Sequence, residues 1–270
     1  MQSRPKRFRT HASSRSRIRC AAWQYGWCED FSVNGAKHQR ESRGTQIGTR
    51  KTGCVSLFIT GTDTGVGKTY TATRLLQLLR ASGASCAGMK PICCGDRRDA
   101  ELLLAAGCDG LTIEDINPVW LKTPAAPIVG SLIEKTDIHI ENMLAAFHAL
   151  QNRVEHVIVE GAGGWMVPIR LDYFISDLAV AMKLPVLTVA YNRLGCLNHA
   201  ALTVQSVVGH GLRCVGLVLN NAQDTGDIAA LTNADILRKI LDVPVLDVLG
   251  ENLTELPADW RLMLDSTIDC

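Results

Sequence analysis

Aromatic residues are scarce in this 270-residue chain, at 5%, which argues against a surface that stacks the bases of single-stranded nucleic acid. No unbroken apolar run approaches the ~18 residues of a membrane-crossing helix. Proline is rare, with 9 residues against 23 glycines, and no periodic glycine pattern points to a collagen-like chain. The ten cysteines include no CxxC pair and match no zinc spacing. Scattered cysteines in a chain of this size are small core residues of a reducing compartment, so the expected location is cytoplasmic. His148, His156, His199 and His210 share no triad or metal spacing and are read as structural.

A net charge of +1 conceals an asymmetry. Residues 1–51 hold 12 Lys/Arg against 3 Asp/Glu, whereas residues 52–270 hold 16 against 24. The main body is therefore acidic and poorly suited to coat DNA or an anionic membrane, so neither partner is expected. Residues 1–52 carry Arg, Ser, Gln and Gly without apolar periodicity. This segment has the acid-poor start of a transit peptide, the charge of an arm that binds nucleic acid or acidic lipid, or the look of upstream sequence read from an early start codon. It lacks the apolar stretch of a secretory signal. The favoured reading is a basic, disordered or artefactual extension over 1–52, followed by one folded domain over 53–270.

The folded part starts near Cys54 and has a steady rhythm. "CVSLFIT" (54–60) is apolar on both faces, as a strand buried in a parallel sheet is. A Gly-rich turn follows, then helical spacing over 70–83 ending at Gly83. Further strands are expected at 85–92, 155–160, 185–191, 214–222 and 244–250, with helices at 99–107, 198–211 and 228–241. Alternation of this kind predicts an α/β fold with a mostly parallel central sheet and helices on both faces. Ligands then collect where the strands end, and every Gly-rich or polar loop follows a strand.

"GTDTGVGKT" (61–69) is a phosphate-binding loop of variant length, with five residues rather than four between Gly61 and Gly67-Lys68-Thr69. Its glycines allow close backbone approach, and its N–H groups with the next helix N-terminus suit an anion. Lys68 is placed to reach the β/γ-phosphates and Thr69 to ligate Mg²⁺. The fold expected is therefore P-loop NTPase-like.

This loop, with "AGMKP" (87–91), "VEGAGGW" (159–165), "LGCLNHA" (194–200) and "GLVLNN" (216–221), resembles the dethiobiotin synthetase family over roughly residues 55–250. The resemblance implies ATP- and Mg²⁺-dependent ring closure of 7,8-diaminononanoate with CO₂. One amine takes up CO₂ as a carbamate, ATP phosphorylates it, and the second amine displaces phosphate. It also implies roles for residues. Thr64, Lys68 and Lys90 are the catalytic candidates; Gly65, Val66, Gly67, Lys68, Thr69 and Asn220 bind ATP, with Asn220 reading adenine. Lys90, Cys94, Gly163, Gly195, Cys196, Leu197 and Asn198 contact substrate, the last four through its carboxylate in a neighbouring subunit, which implies a homodimer. Thr69, Asp99 and Glu160 hold Mg²⁺, with Asp96 an alternative to Asp99. A carboxylate such as Glu160, after the apolar "HVIV", is costly without a partner and so points to function. Position 65 is Gly where some members are acidic, and Cys94 stands where others have Ser, which weakens a hydrogen bond.

The rival reading is a partition or positioning ATPase, a switch acting through protein partners. Those proteins open the loop with a lysine, where this chain has Thr60-Gly61-Thr62. The C-terminal stretch is also acidic rather than basic and amphipathic.

Overall fold

The computed structural model describes residues 56–221 and 228–267. The extension expected over 1–52, Cys54 and Cys270 lie outside these residues. The chain opens with β1 (Ser56–Gly61) and α1 (Lys68–Ala81), then β2 (Cys86–Met89), β3 (Ile92–Cys94), α2 (Arg98–Ala106), α3 (Ile113–Ile116), β4 (Val119–Leu121), α4 (Pro127–Glu134) and α5 (Ile140–Arg153). It continues through β5 (His156–Glu160), β6 (Pro168–Arg170), β7 (Tyr173–Phe174), α6 (Ile175–Met182) and β8 (Val186–Tyr191). The last elements are α7 (Cys196–Gly209), β9 (Cys214–Asn220), α8 (Ile228–Ile240), β10 (Val245–Asp247) and α9 (Ala258–Asp265).

Six strands form one sheet in the order β10-β9-β8-β1-β5-β2, and every pair is parallel. The apolar runs that marked the strands are what a sheet covered on both sides demands. Leu57, Phe58, Ile59, Val157, Ile158, Val159, Val186 and Leu187 are all fully buried. The chain steps from β1 to β2 in one direction and from β8 through β9 to β10 in the other. With right-handed crossovers, α1 then covers one face and α7 and α8 the opposite one. A parallel sheet sends all its strand ends to one rim, so the turns after β1, β2, β5, β8 and β9 are neighbours. The reversal of direction around β1 opens the crevice there.

Three expected elements shift for identifiable reasons. The helix begins at Lys68, not residue 70, because Gly67 takes the left-handed conformation (φ 100°) and turns the chain directly from loop to helix. The strand expected over 85–92 is broken. Lys90 is followed by Pro91, which has no N–H for the ladder, and the chain restarts as β3 in a small separate parallel sheet with β4. The helix expected over 198–211 starts at Cys196, after Gly195 at φ 91°. Segments 108–154 and 165–184, left unassigned by pattern, hold α3, β4, α4, α5, β6, β7 and α6.

Candidate active site

The phosphate loop leaves β1 at Gly61, where a Cβ would stand 2.8 Å from both the Asp63 carbonyl and the Val66 side chain. Gly67 is held just as closely, since a Cβ there would meet Asn220 Nδ2 at 2.3 Å. The Asn220 amide, at the end of β9, donates to the Val66 carbonyl at 3.0 Å. Asn220 thus clamps the loop across the rim. Val66 is buried while Thr64 and Gly65 are exposed, leaving the outer arc of the loop open to a ligand.

Lys68 is almost fully buried and curls back, donating from Nζ to the Asp63 carbonyl at 2.9 Å. Its pKa is pushed down to about 8, chiefly by burial and then by the charge of Lys90; Glu160, Asp99 and Asp63 offset part of this. The two lysines therefore share one electrostatic field.

Lys90 follows β2 with 4% of its surface exposed. Its Nζ donates to Glu160 Oε1 at 2.6 Å and to Asp99 Oδ2 at 2.8 Å. Burial by itself lowers the pKa of a lysine. Here the charges and hydrogen bonds of Glu160 and Asp99 outweigh it and hold the ammonium above its ordinary value. Burial likewise opposes ionisation of Asp99, yet Lys90 wins and holds that carboxyl below the usual range.

Asp96 and Asp99 both line the cavity beside Lys90 but have different hydrogen-bond partners. The Asp96 carboxylate accepts from the Arg98 N–H at 3.2 Å at the start of α2. One turn of helix carries Asp99 around to Lys90. Thr69 donates to Glu160 Oε1 at 2.9 Å, so Thr69, Asp99, Glu160 and Lys90 converge.

Glu160 is fully buried, and its Oε2 has no hydrogen-bond partner among the described residues. A buried carboxylate oxygen without a donor is expensive. A hydroxyl, two carboxylates and phosphate oxygens are the hard donors that Mg²⁺ prefers, so the residues present fit that ion. Among the described residues no group of three or more His, Cys, Asp or Glu could hold a metal alone, which leaves phosphate oxygens and the Thr69 hydroxyl to complete such a site.

A cavity of about 480 Å³ opens beside Lys90 and Asp99, lined further by Thr64, Cys93, Cys94 and Gly163. Its volume suits a small organic ligand. Burial raises the thiols of Cys93 and Cys94 to about 11, so both are neutral and weakly polar walls. Gly163 (φ 62°) brings the loop after β5 against the phosphate loop; a Cβ there would lie 2.9 Å from Val167 and 3.5 Å from the Thr64 hydroxyl.

Gly195, Cys196, Leu197 and Asn198 do not line this cavity. Cys196 is spoken for locally: its side chain is buried in a small apolar cluster, and its N–H bonds the Arg193 carbonyl at 3.0 Å.

Pattern reading overlooked Asn117. It is 1% exposed, and its amide donates to the Lys90 carbonyl at 2.7 Å while accepting from Arg97 Nε at 2.9 Å. This replaces the ladder bonding that ends at Pro91 and fixes the backbone from which Lys90 projects. The Asn-Pro step at 117–118 was the available signal, as a turn mark. Asn192 and Asn233 were also missed. Asn233 Nδ2 donates to Asn192 Oδ1 at 2.8 Å, and Asn192 Nδ2 to Asn221 Oδ1 at 2.6 Å, tying α8 to the ends of β8 and β9.

A phosphate loop on the central strand of a parallel sheet, with a buried cation held between a carboxylate at the end of the neighbouring strand and one on α2, defines a P-loop nucleotide-dependent α/β protein. The AAA domain family matches residues 55–254. The chain is 44% identical over 194 residues to the ATP-dependent dethiobiotin synthetase BioD of Akkermansia muciniphila, covering 72% of this chain and 91% of that protein. It is 36% identical over 200 residues to the protein of the same name from Endomicrobium trichonymphae, covering 73% and 92%. Similar solved structures include the signal recognition particle receptor FtsY from Elizabethkingia anophelis in complex with GDP, at 17% identity and a TM-score of 0.49 over 84% of this chain and 67% of that one. This chain belongs to the dethiobiotin synthetase family.

Proposed function

We propose that this chain closes a cyclic urea: it uses ATP and Mg²⁺ to convert 7,8-diaminononanoate and CO₂ into dethiobiotin. Family membership favours this over the partition-type switch. The observation that carries the assignment of roles is the buried Lys90–Glu160–Asp99 cluster set beside the phosphate loop.

In this reading the diamine lies in the cavity along Cys93, Cys94 and Gly163. One amine bonds to the carbon of CO₂, giving a carbamate. A carbamate oxygen then attacks the γ-phosphorus and ADP leaves. The second amine attacks the carbonyl carbon, the C–O bond to phosphate breaks, and the ring closes. Negative charge crowds onto oxygens at each stage, so fixed cations facing them lower the barrier. Lys90 supplies a cation whose orientation is set before substrate arrives. Lys68 exchanges the Asp63 carbonyl for phosphate oxygens. Thr69, Asp99 and Glu160 would hold Mg²⁺, which when bound neutralises phosphate charge. Thr64 lines the cavity and sits on the exposed arc of the loop, between the two reactants.

Residues 195–198, to which the family resemblance gives the substrate carboxylate, do not line the Lys90 cavity of their own chain, as expected of a homodimer whose second copy completes the site. Exposed Met166 and Leu202 line a cleft of about 370 Å³ between the phosphate loop and α7, an apolar surface for that copy. Sedimentation that finds only monomer at assay concentrations contradicts the arrangement. Among the described residues no helix is long and apolar enough to cross a membrane.

The deciding experiment is turnover of the diamine with labelled bicarbonate and ATP. Label in a cyclic urea, with phosphate released only when both are present, supports the reading; ATP hydrolysis indifferent to the diamine rejects it.

The Asn220 clamp yields a separate expectation. Its bond to Val66 does not depend on the base, so Asn220→Ala should weaken ATP and GTP alike, by roughly five- to tenfold. Loss confined to ATP in a nucleotide titration would assign Asn220 to the adenine instead.

A further inference from the structure

Two thiols lie side by side, away from the rim. Cys86 opens β2, and Cys108 follows Gly107 at the end of α2. Their backbones run past each other at bonding distance. The Cys108 N–H donates to the Cys86 carbonyl at 2.8 Å, and the Cys86 N–H donates to Cys108 Sγ at 3.1 Å. The Cys86 thiol donates to the Leu76 carbonyl at 3.5 Å and the Cys108 thiol to the Ala84 carbonyl at 3.9 Å, so neither is locked to the other. Gly107 makes room for this approach, since a Cβ there would stand 3.3 Å from the Cys86 carbonyl oxygen. The Cys108 N–H and Sγ contacts set the Cys108 sulfur against the backbone of Cys86, which makes the two residues immediate neighbours, as a disulfide requires. Both cysteines are reduced, Cys86 buried and Cys108 partly exposed.

We propose that Cys86 and Cys108 are an oxidisable dithiol, a modification site that glutathione disulfide converts to an intramolecular disulfide. The exposed partner reacts first. The Cys108 thiolate attacks the oxidant's S–S bond, forming a mixed disulfide and expelling one glutathione thiolate. The Cys86 thiolate then attacks the Cys108 sulfur, forming the protein disulfide and expelling the second. Two protein thiols lose two electrons and two protons, and the oxidant is reduced to two molecules of glutathione. Burial first, and the neighbouring Cys108 second, raise the Cys86 thiol to about 12, so the resolving step is the slow one. The new bond closes residues 86–108, the segment that carries Lys90 and Asp99. It does so at the start of β2, the end away from the rim, and so staples the segment without moving the site.

The full-length protein is incubated with glutathione disulfide, alkylated, digested and mapped. A Cys86–Cys108 cross-linked peptide, an intact mass lower by two hydrogens, and a Tm higher by roughly 5–10 °C that returns on reduction support the proposal. Cys108→Ser and Cys108→Ala should each lose the cross-link and the shift in Tm. A glutathione adduct that persists on Cys108, or cross-links confined to other cysteines, would overturn it; the wild-type map decides even where neither variant folds.

Discussion

Replacing Lys90 by methionine is expected to lower kcat by ~1,000-fold or more and to destabilise the fold by about 3–5 kcal/mol. Both losses have one origin. Glu160 is fully buried and its charge is matched by Lys90 Nζ at 2.6 Å. Methionine fills the same volume but leaves that carboxylate without its cation, in a place where water cannot compensate. Asp99 contributes less to the stability loss, because 46% of its side chain is exposed and solvent screens the pair. Activity and stability are then separable. Lys90→Met combined with Glu160→Gln removes the orphaned charge and should recover most of the lost stability in urea melts, while ring closure stays lost. Recovery of turnover in the double variant would show that the ammonium has no part in the chemistry. The acid limb of the stability curve gives an independent reading. Asp99 is held below the ordinary carboxylate range, so the stability it draws from Lys90 is present at neutral pH and disappears as pH falls through its folded-state value. Lys90→Met should flatten that limb.

The parts of this site that were legible in the sequence are those where chemistry and backbone coincide. The phosphate loop declares itself because Gly61 and Gly67 have no room for a Cβ, and such positions leave a signature of glycine. Glu160 stood out because a carboxylate closing the run "HVIV" contradicts its surroundings. The buried strands were visible as continuous apolar runs, since a sheet covered on both faces cannot alternate. What the pattern hid was support arriving from far along the chain. Asn117 lies 27 positions beyond Lys90, and Asn233 reaches Asn192 across 41. An amide in a turn looks the same whether it caps a loop or holds a catalytic backbone. Within 108–154, α3 has four residues and β4 three, too few for a period to show, whereas the 14-residue α5 buries Ile140, Met143, Phe147 and Leu150 at helical spacing and was legible but not assigned. Family resemblance implied a base-reading role for Asn220, whereas the bond from its amide to the Val66 carbonyl is a tertiary fact that no local pattern encodes.

Nucleotide affinity should fall as pH rises above about 8. In the free protein Lys68 titrates near that value, and phosphate oxygens favour the charged ammonium. Binding of ADP therefore draws a proton back onto Lys68 once the solution pH exceeds 8. The affinity should be flat below neutrality and then drop by up to roughly tenfold per pH unit, with proton uptake visible by calorimetry in buffers of different ionisation enthalpy. Stability should move the other way. Between about 8 and 10.5 the unfolded lysine is protonated and the folded one is not; stability rises with pH wherever the unfolded state binds more protons. General alkaline unfolding would lower both quantities together, so opposite slopes in one pH window isolate this side chain. Lys68→Met should remove both slopes and weaken ADP by ~100-fold at neutral pH, the cost of losing a desolvated cation from a phosphate site. An ADP affinity that stays level to pH 10 in the wild type would mean that Lys68 keeps its proton without the nucleotide. The Asp63 carbonyl, rather than burial, would then be what sets its charge.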